Sequence, residues 1–179
     1  MREGRFYMLK MVGSILIIGA GTCIGFLKGN EMAERVSHMQ EIKRIFHALE
    51  QEITYTRVPL GQAFMRVSER CGGPFLRWLH CMTEMLDTRE EGRIEGIWKH
   101  ATKQHLKETK LSLEDIGMIA SQGTYMGQLD VKMQSSTIGL FMEQWEERIN
   151  QAKAQLESKR KLARCVGLLG GIFLVILLL

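Results

Sequence analysis

Residues 31–57 of this 179-residue chain read EMAERVSHMQEIKRIFHALEQEITYTR. Apolar residues recur along the stretch in steps of three or four, at Met32, Val36, Met39, Ile42, Phe46, Leu49 and Ile53. Because an α-helix has about 3.6 residues per turn, this spacing places all of them on one face. The stretch therefore predicts a long amphipathic helix that buries one face against other helices.

The residues that follow predict several shorter helices and no strand. Pro59 suits the start of a second helix, and Gly72-Gly73 ahead of Pro74 separates it from a third. Residues 90–107 show a fourth helical pattern. Ser112 is a predicted N-cap because acidic residues follow it in the first turn, and we expect Gly123 to end that helix.

A final helix is predicted from Leu129 to Leu179. Its apolar residues again recur in steps of three and four, at Ile138, Met142, Trp145, Ile149, Ala152 and Leu156, and no proline follows Pro74. The three tryptophans fall within the apolar helical faces, at positions 78, 98 and 145. We therefore expect them in the core rather than in a ligand site.

Two uncharged apolar runs, residues 11–27 and 165–179, flank this helical region. With help from flanking lysines and arginines, each is long enough to cross a membrane, although the first could instead be a cleaved signal peptide. The second could be a tail anchor or the return half of a hairpin. The predicted fold is all-α, a single antiparallel helical bundle at residues 29–164 between transmembrane helices at 11–28 and 165–179, after a short basic N-terminus at 1–10. Gly29-Asn30 is the expected hinge.

The formal net charge of +4 is unevenly distributed along the chain. Residues 29–152 carry 15 Lys and Arg against 18 Asp and Glu, whereas Lys and Arg residues crowd positions 153–164. A nucleic-acid-binding domain would carry the positive charge on its own surface, so nucleic acid is not an expected partner. The basic flanks instead place the helical domain in the cytoplasm.

The sequence holds no motif that indicates catalysis, a cofactor or a metal ion, so an enzyme is not expected. Cys71 and Cys81 lack a C-x-x-C pairing, and all four cysteines are predicted to be reduced. Glycines one helical turn apart in both apolar runs, at Gly21, Gly25, Gly167 and Gly171, are candidates for helix packing in the membrane. Glu50, Glu52 and Tyr55 form a polar helix end whose simplest interpretation is a solvated surface.

The order of these features resembles the stage III sporulation protein AB family over essentially the whole chain. The resemblance is carried by residues 49–55 (LEQEITY), by residues 111–115 (LSLED), and by residues 122–127 (QGTYMG) ahead of the last basic helix. A partial repeat, Pro59-Leu60-x-x-Ala63 and Gly96-Ile97-Trp98-x-x-Ala101, is also similar to the helical domain of type II secretion inner-membrane platform proteins. Those proteins carry two such domains and three spans, whereas this chain has one domain and two predicted spans.

The resemblance implies a non-enzymatic component of the secretion-like channel complex between mother cell and forespore. It would lie in the mother-cell membrane that surrounds the forespore, self-associate, and couple a cytosolic ATPase to other sporulation channel proteins. On this interpretation partner contacts are expected at Glu50, Glu52, Tyr55, Gln122, Gly123 and Gly127. A generic membrane-anchored homo-oligomeric scaffold and a ligand-binding regulator are the alternatives.

Overall fold

The structure is a computed structural model that describes residues 13, 29–56, 58–88, 94–126 and 131–178. At residues 131, 132, 134, 163, 164 and 167–178 it describes the backbone alone. The chain divides into two compact units, Met1–Ala33 with Gln151–Leu179, and Glu34–Asn150. The packing described below is that of the second unit, which we call the helical domain.

The first helix, α1, includes residues 29–51 and continues into a π-helical turn, Glu52–Thr56. The predicted amphipathic face is confirmed, because Met39, Ile42 and Leu49 are fully buried. Two predictions for its ends are wrong. Gly29 and Asn30 are helical rather than a hinge, and the α-helical geometry stops at residue 51, where the wider π turn replaces it.

Two helices follow, α2 at Leu60–Ser68 and α3 at Gly73–Asp87. Pro59 immediately precedes α2, as its fixed φ and missing N–H predict. Gly72 caps α3, and Gly73 has φ +56°, a left-handed conformation that glycine adopts without steric cost. The glycine pair therefore makes the turn between α2 and α3 possible.

Helix α4 spans Ile94–His105 and ends in a 3₁₀ turn, Leu106–Glu108. Helix α5, Leu113–Ser121, begins with the predicted Ser112 cap, completed by a reciprocal hydrogen bond with Asp115. The short helix α6, Gly123–Met126, follows at once. The predicted end of α5 is confirmed, because α5 ends at Ser121 with Gln122 as its C-cap, directly before Gly123. The sequence did not predict that Gly123 also starts α6.

The last helix, α7, spans Val131–Leu178, which confirms the predicted long helix within the described residues. In the helical domain its buried residues are Ile138, Phe141, Trp145 and Ile149. Phe141 packs against Phe46 of α1 with ring centroids 4.3 Å apart. The indole N–H of Trp145 donates to the backbone oxygen of Met39 at 2.8 Å, so α1 and α7 are joined by both aromatic packing and a buried hydrogen bond.

Trp98 of α4 lies at the centre of the domain core. Its ring contacts Phe46, Phe64 and Trp78, with centroids 5.8, 5.9 and 5.2 Å away. Its indole N–H donates to the backbone oxygen of Ile119 at 2.7 Å. All three tryptophans are fully buried, which confirms their assignment to the core.

Among the described residues all secondary structure is helical, and the predicted all-α helical bundle is confirmed at that level. The antiparallel arrangement and the boundaries at residues 28 and 164 stay predictions.

Candidate functional site

The π turn holds the predicted partner-binding residue Glu52 in an ion pair. Its carboxylate Oε2 lies 3.1 Å from Nη1 of Arg66 on α2, and the Thr56 hydroxyl donates to the same oxygen at 3.1 Å. The Glu52 side chain is only 15% exposed. It is therefore a structural tie between the turn and α2, and the interpretation of a fully solvated helix end is wrong for this residue.

Glu50 is engaged in a similar way on the other side. The Ser135 hydroxyl of α7 donates to its Oε1 at 3.1 Å, and Nδ1 of His47 lies 3.8 Å from its Oε2. The two carboxylates therefore connect the end of α1 to α7 and α2. Both carboxylates have partners within the fold.

Tyr55 differs from both glutamates, because its side chain is 81% exposed. It lies between Glu52 and Thr56 in a turn that Glu52 fastens to α2. Inside the turn, the Thr54 hydroxyl is buried without a hydrogen-bond partner among the described residues. The turn therefore presents one large amphipathic ring to the surroundings on an anchored backbone.

The second predicted group, residues 122–127, has a different role from the first. The backbone oxygen of Gln122 accepts hydrogen bonds from the N–H groups of Tyr125 and Met126, at 3.0 and 3.2 Å. Gly123 is buried, and a Cβ built on it would lie 2.7 Å from Cδ1 of Trp98. Only a glycine lets α6 approach the core tryptophan this closely, so Gly123 is a packing residue here.

The remaining predicted residues have an incomplete description. Gly127 and the first-span glycines Gly21 and Gly25 lie outside the described residues, and Gly167 and Gly171 are described only as backbone positions of α7. Among the residues that are described, no hydrogen bond or ion pair joins Glu50, Glu52 or Tyr55 to Gln122 or Gly123. The structure does not bring the two predicted groups together through polar contacts.

A charged cluster that sequence reasoning missed is centred on Asp115, whose side chain is fully buried. Nη2 of Arg35 on α1 lies 2.7 Å from Oδ2, and Nη2 of Arg148 on α7 lies 2.8 Å from Oδ1. The backbone N–H of Ser112 donates to Oδ2 at 3.0 Å. This Asp115 clamp, made of Asp115, Arg35, Arg148 and Ser112, ties three helices to one carboxylate.

The clamp keeps Asp115 ionised. Burial alone would raise the pKa of this carboxyl, but hydrogen bonds from Ser112, Arg148 and Arg35 outweigh burial and lower its pKa from the ordinary value of 3.8. The pKa of Arg148 is raised by its hydrogen bonds to Glu114 and Asp115. At neutral pH the Asp115 clamp therefore consists of a permanently ionised carboxylate held between two arginine cations.

Part of the Asp115 clamp is visible in the sequence. The Ser112-x-x-Asp115 spacing predicts a capping box. The two arginines carry no such signal, because Arg35 and Arg148 lie 80 and 33 positions away from Asp115 along the chain. Only the packing of α1 and α7 beside α5 brings them to it.

The described residues offer little to nucleophilic or metal chemistry. They contain no group of three or more His, Cys, Asp or Glu side chains that could hold a metal ion. Cys71, Cys81 and Cys165 are free thiols, and Cys23 lies outside the described residues. Burial raises the pKa of the Cys71 thiol to about 11, with a smaller contribution from the nearby Glu41 carboxylate, so this thiol is poorly activated.

Within the part of the chain that the structure describes, no helix has both the length and the apolar character that crossing a membrane requires. Except for Gly13, residues 11–28 of the predicted first span lie outside the described residues. In the predicted second span, the side chains beyond Val166 are also outside the description.

Comparison with known proteins gives a consistent result at three levels. The family model for stage III sporulation protein AB matches residues 10–179. Stage III sporulation protein AB of Bacillus subtilis (strain 168) is 23% identical over 172 residues, which cover 96% of this chain and 100% of the relative.

A solved structure of stage III sporulation protein AB (SpoIIIAB) has the same helical fold, with a TM-score of 0.64 at 19% identity. The match covers 69% of this chain and 97% of the solved chain. Since the family model spans nearly all of the sequence, the resemblance found in residues 49–55, 111–115 and 122–127 is confirmed. The chain belongs to the stage III sporulation protein AB family, whose role is in sporulation.

Proposed function

We propose that this protein is a non-enzymatic membrane component of the secretion-like channel complex between mother cell and forespore. In this role it is an inner-membrane platform that couples a cytosolic ATPase to other channel proteins. The observation that carries the proposal is the exposed Tyr55 on an anchored π turn. Family membership and the similarity to secretion platform domains support it.

Tyr55 has the properties of an interface anchor. Aromatic residues are enriched among interface hot spots because one rigid side chain buries a large apolar area and still forms a hydrogen bond. The turn that carries it is fastened through Glu52 to Arg66, while Glu50 is bonded to Ser135. A partner that binds Tyr55 would therefore meet a surface that loses little conformational entropy on binding.

The position of the turn suits mechanical coupling. It follows α1 directly, and α1 follows the first predicted span in the sequence. α1 is also held to α5 and α7 through the Asp115 clamp. Displacement of the turn by a partner would thus act on a connected set of helices rather than on a loose loop.

Two further features belong to the proposal. The basic residues that flank the apolar runs favour a cytoplasmic helical domain, on the mother-cell side of the membrane around the forespore. A platform with one helical domain and two spans would self-associate to match the larger secretion proteins, through the glycine pairs Gly21, Gly25 and Gly167, Gly171.

A pull-down from sporulating cells tests the proposal. The bait is the full chain carrying Tyr55→Ala, and the control is Leu113→Ala, which truncates another apolar side chain that is 88% exposed. We expect recovery of a cytosolic ATPase, identified by mass spectrometry, to fall at least tenfold with Tyr55→Ala, about the loss of one hot spot. Recovery should be unchanged with Leu113→Ala.

Exchanging the charges of Glu52 and Arg66 distinguishes a Glu52 side chain that contacts the partner from one that only positions the turn. Glu52→Lys should lower recovery because it places two cations side by side, and adding Arg66→Glu should restore it by re-forming the pair in reverse. Equal recovery with wild type, Tyr55→Ala and Leu113→Ala would contradict the proposal. It would favour the alternative of a membrane-anchored scaffold without an ATPase partner.

A further inference from the structure

The segment of α7 just ahead of the apolar run 165–179 is rich in exposed cations. Lys159, Arg160 and Lys161 are all exposed, and none of them has an ion pair or hydrogen bond to a described residue. We call residues 159–161 the basic segment. Its positive charge is therefore available to a ligand outside the described fold.

Exposed apolar side chains follow the basic segment on the same helix. Leu162 and Val166 are each 63% exposed and lie four residues apart, so they share one face of α7. At 100° per residue, Arg160 points to the opposite side of the helix from Leu162. The helix therefore presents cations and apolar side chains at the same level along its axis.

We infer that the basic segment binds the phosphate headgroups of anionic phospholipids, while Leu162 and Val166 lie at the boundary with the acyl chains. The inference rests on the membrane insertion in the proposed function. At about 1.5 Å per residue, Lys159 lies roughly 9 Å and Lys161 roughly 6 Å along the axis from Cys165. Both distances are close to the depth of one headgroup layer and comparable to the Debye length of roughly 8 Å at physiological salt.

Anionic lipid fits these observations better than nucleic acid. The rest of the helical region, residues 29–152, is net negative and would repel a polyanion that extends beyond the basic segment. A bilayer surface, by contrast, would contact the chain only near the apolar run 165–179, beside the basic segment. It also gives Leu162 and Val166 an apolar neighbour, which a nucleic-acid backbone does not.

The test uses the full chain reconstituted into phosphatidylcholine vesicles that contain phosphatidylglycerol. Electron paramagnetic resonance of spin-labelled lipids measures the fraction of each lipid that the protein immobilises. We expect spin-labelled phosphatidylglycerol to be immobilised more than phosphatidylcholine, and the preference to disappear at about 1 M salt, where the Debye length is about 3 Å.

Three variants sharpen the result. The variant with Lys159→Gln, Arg160→Gln and Lys161→Gln should lower the phosphatidylglycerol preference at least about fivefold, the change expected from one surface cation. A control with Lys99→Gln, Lys103→Gln and Lys107→Gln removes three exposed cations of α4 and its 3₁₀ turn and should change nothing. Lys153→Gln, roughly 18 Å from Cys165 along the helix, should also have little effect.

Each outcome is decisive. Equal immobilisation of the two lipids by the wild type would overturn the inference and leave the platform proposal intact. An equal loss of preference in the α4 control would also overturn it, because any surface charge would then serve. Failure of the protein to float with vesicles of either composition would overturn both the inference and membrane insertion. Competition by an oligonucleotide added at equal phosphate concentration would identify nucleic acid as the occupant instead.

Discussion

Substitution of Asp115 by asparagine tests the energetic role of the buried charge. The change keeps the size of the side chain and removes its negative charge, so Arg35 and Arg148 would face a neutral amide. We expect the free energy of unfolding of the helical domain to fall by about 2–3 kcal/mol.

The magnitude follows from the geometry. Removal of one partner from a buried ion pair typically costs about 3–5 kcal/mol. Here the loss is smaller, because the Arg35 and Arg148 side chains are 27% and 25% exposed and retain some hydration. The amide oxygen of asparagine would also still accept the N–H of Ser112, which preserves part of the helix cap.

Urea unfolding of the full chain in mild detergent measures this loss. Tryptophan fluorescence reports on the helical domain specifically, because Trp78, Trp98 and Trp145 all lie in it and all are buried. The matched control is Glu114→Gln. Glu114 is the neighbouring acid and also pairs with Arg148, at 3.0 Å, but its side chain is 78% exposed. An exposed pair contributes little to stability, so this control should lose much less than Asp115→Asn does.

The result that would refute this reasoning is an equal loss in the two variants, since burial would then make no difference. A double-mutant cycle gives a second check. In an Arg148→Gln background, Asp115→Asn should cost less than it does in the wild type, because one of the two ion pairs is already absent.

The same structure leads to four further predictions. Because the pKa of Asp115 is lowered in the folded state, its contribution to the free energy of unfolding is complete above the ordinary value of 3.8 and is lost as the pH falls below it. The difference in stability between wild type and Asp115→Asn should therefore be constant from about pH 7 to 5 and shrink below about pH 4. Gly123→Ala should destabilise the domain by about 1–3 kcal/mol in the same urea assay, because its Cβ would meet Trp98. Gly117→Ala, in α5 with open space around it, should instead stabilise by about 0.5–1 kcal/mol. At pH 8 Cys71, with a pKa of about 11, should react with iodoacetamide about a hundredfold more slowly than a thiol with the ordinary pKa of 9.0. Mass spectrometry measures both rates. Comparable rates would contradict the prediction and show that the Cys71 thiol is accessible and activated.

The helical periodicity of the sequence predicted most of the elements correctly. It identified α1 from Met32 to Leu49, the Ser112 cap of α5 and the long final helix, because each depends on residues close together along the chain. The same local reasoning described only part of the role of Gly123. α5 ends directly before this glycine, as predicted, but the absence of a Cβ also leaves room for Trp98, a residue of a different helix.

The candidate partner-binding residues also have properties that depend on tertiary contacts rather than on local sequence. Sequence alone grouped Glu50, Glu52 and Tyr55, and nothing local distinguishes the three. In the structure the two carboxylates are occupied by Ser135 and Arg66, residues 85 and 14 positions away, and Tyr55 alone is left mostly exposed. Which residue of the group is free to bind a partner therefore depended on contacts that no spacing rule predicts.

The sequence by itself determined the helical class, the apolar faces and the uneven charge, because these follow from periodicity and composition. It also determined the family, through the order of short segments along nearly the whole chain. Only the tertiary structure decided that Asp115 is a buried anion between Arg35 and Arg148, and that Tyr55 is presented on a fastened turn. The physical reason is that burial and ion pairing depend on which helices pack together, and that packing joins residues that are far apart in the chain.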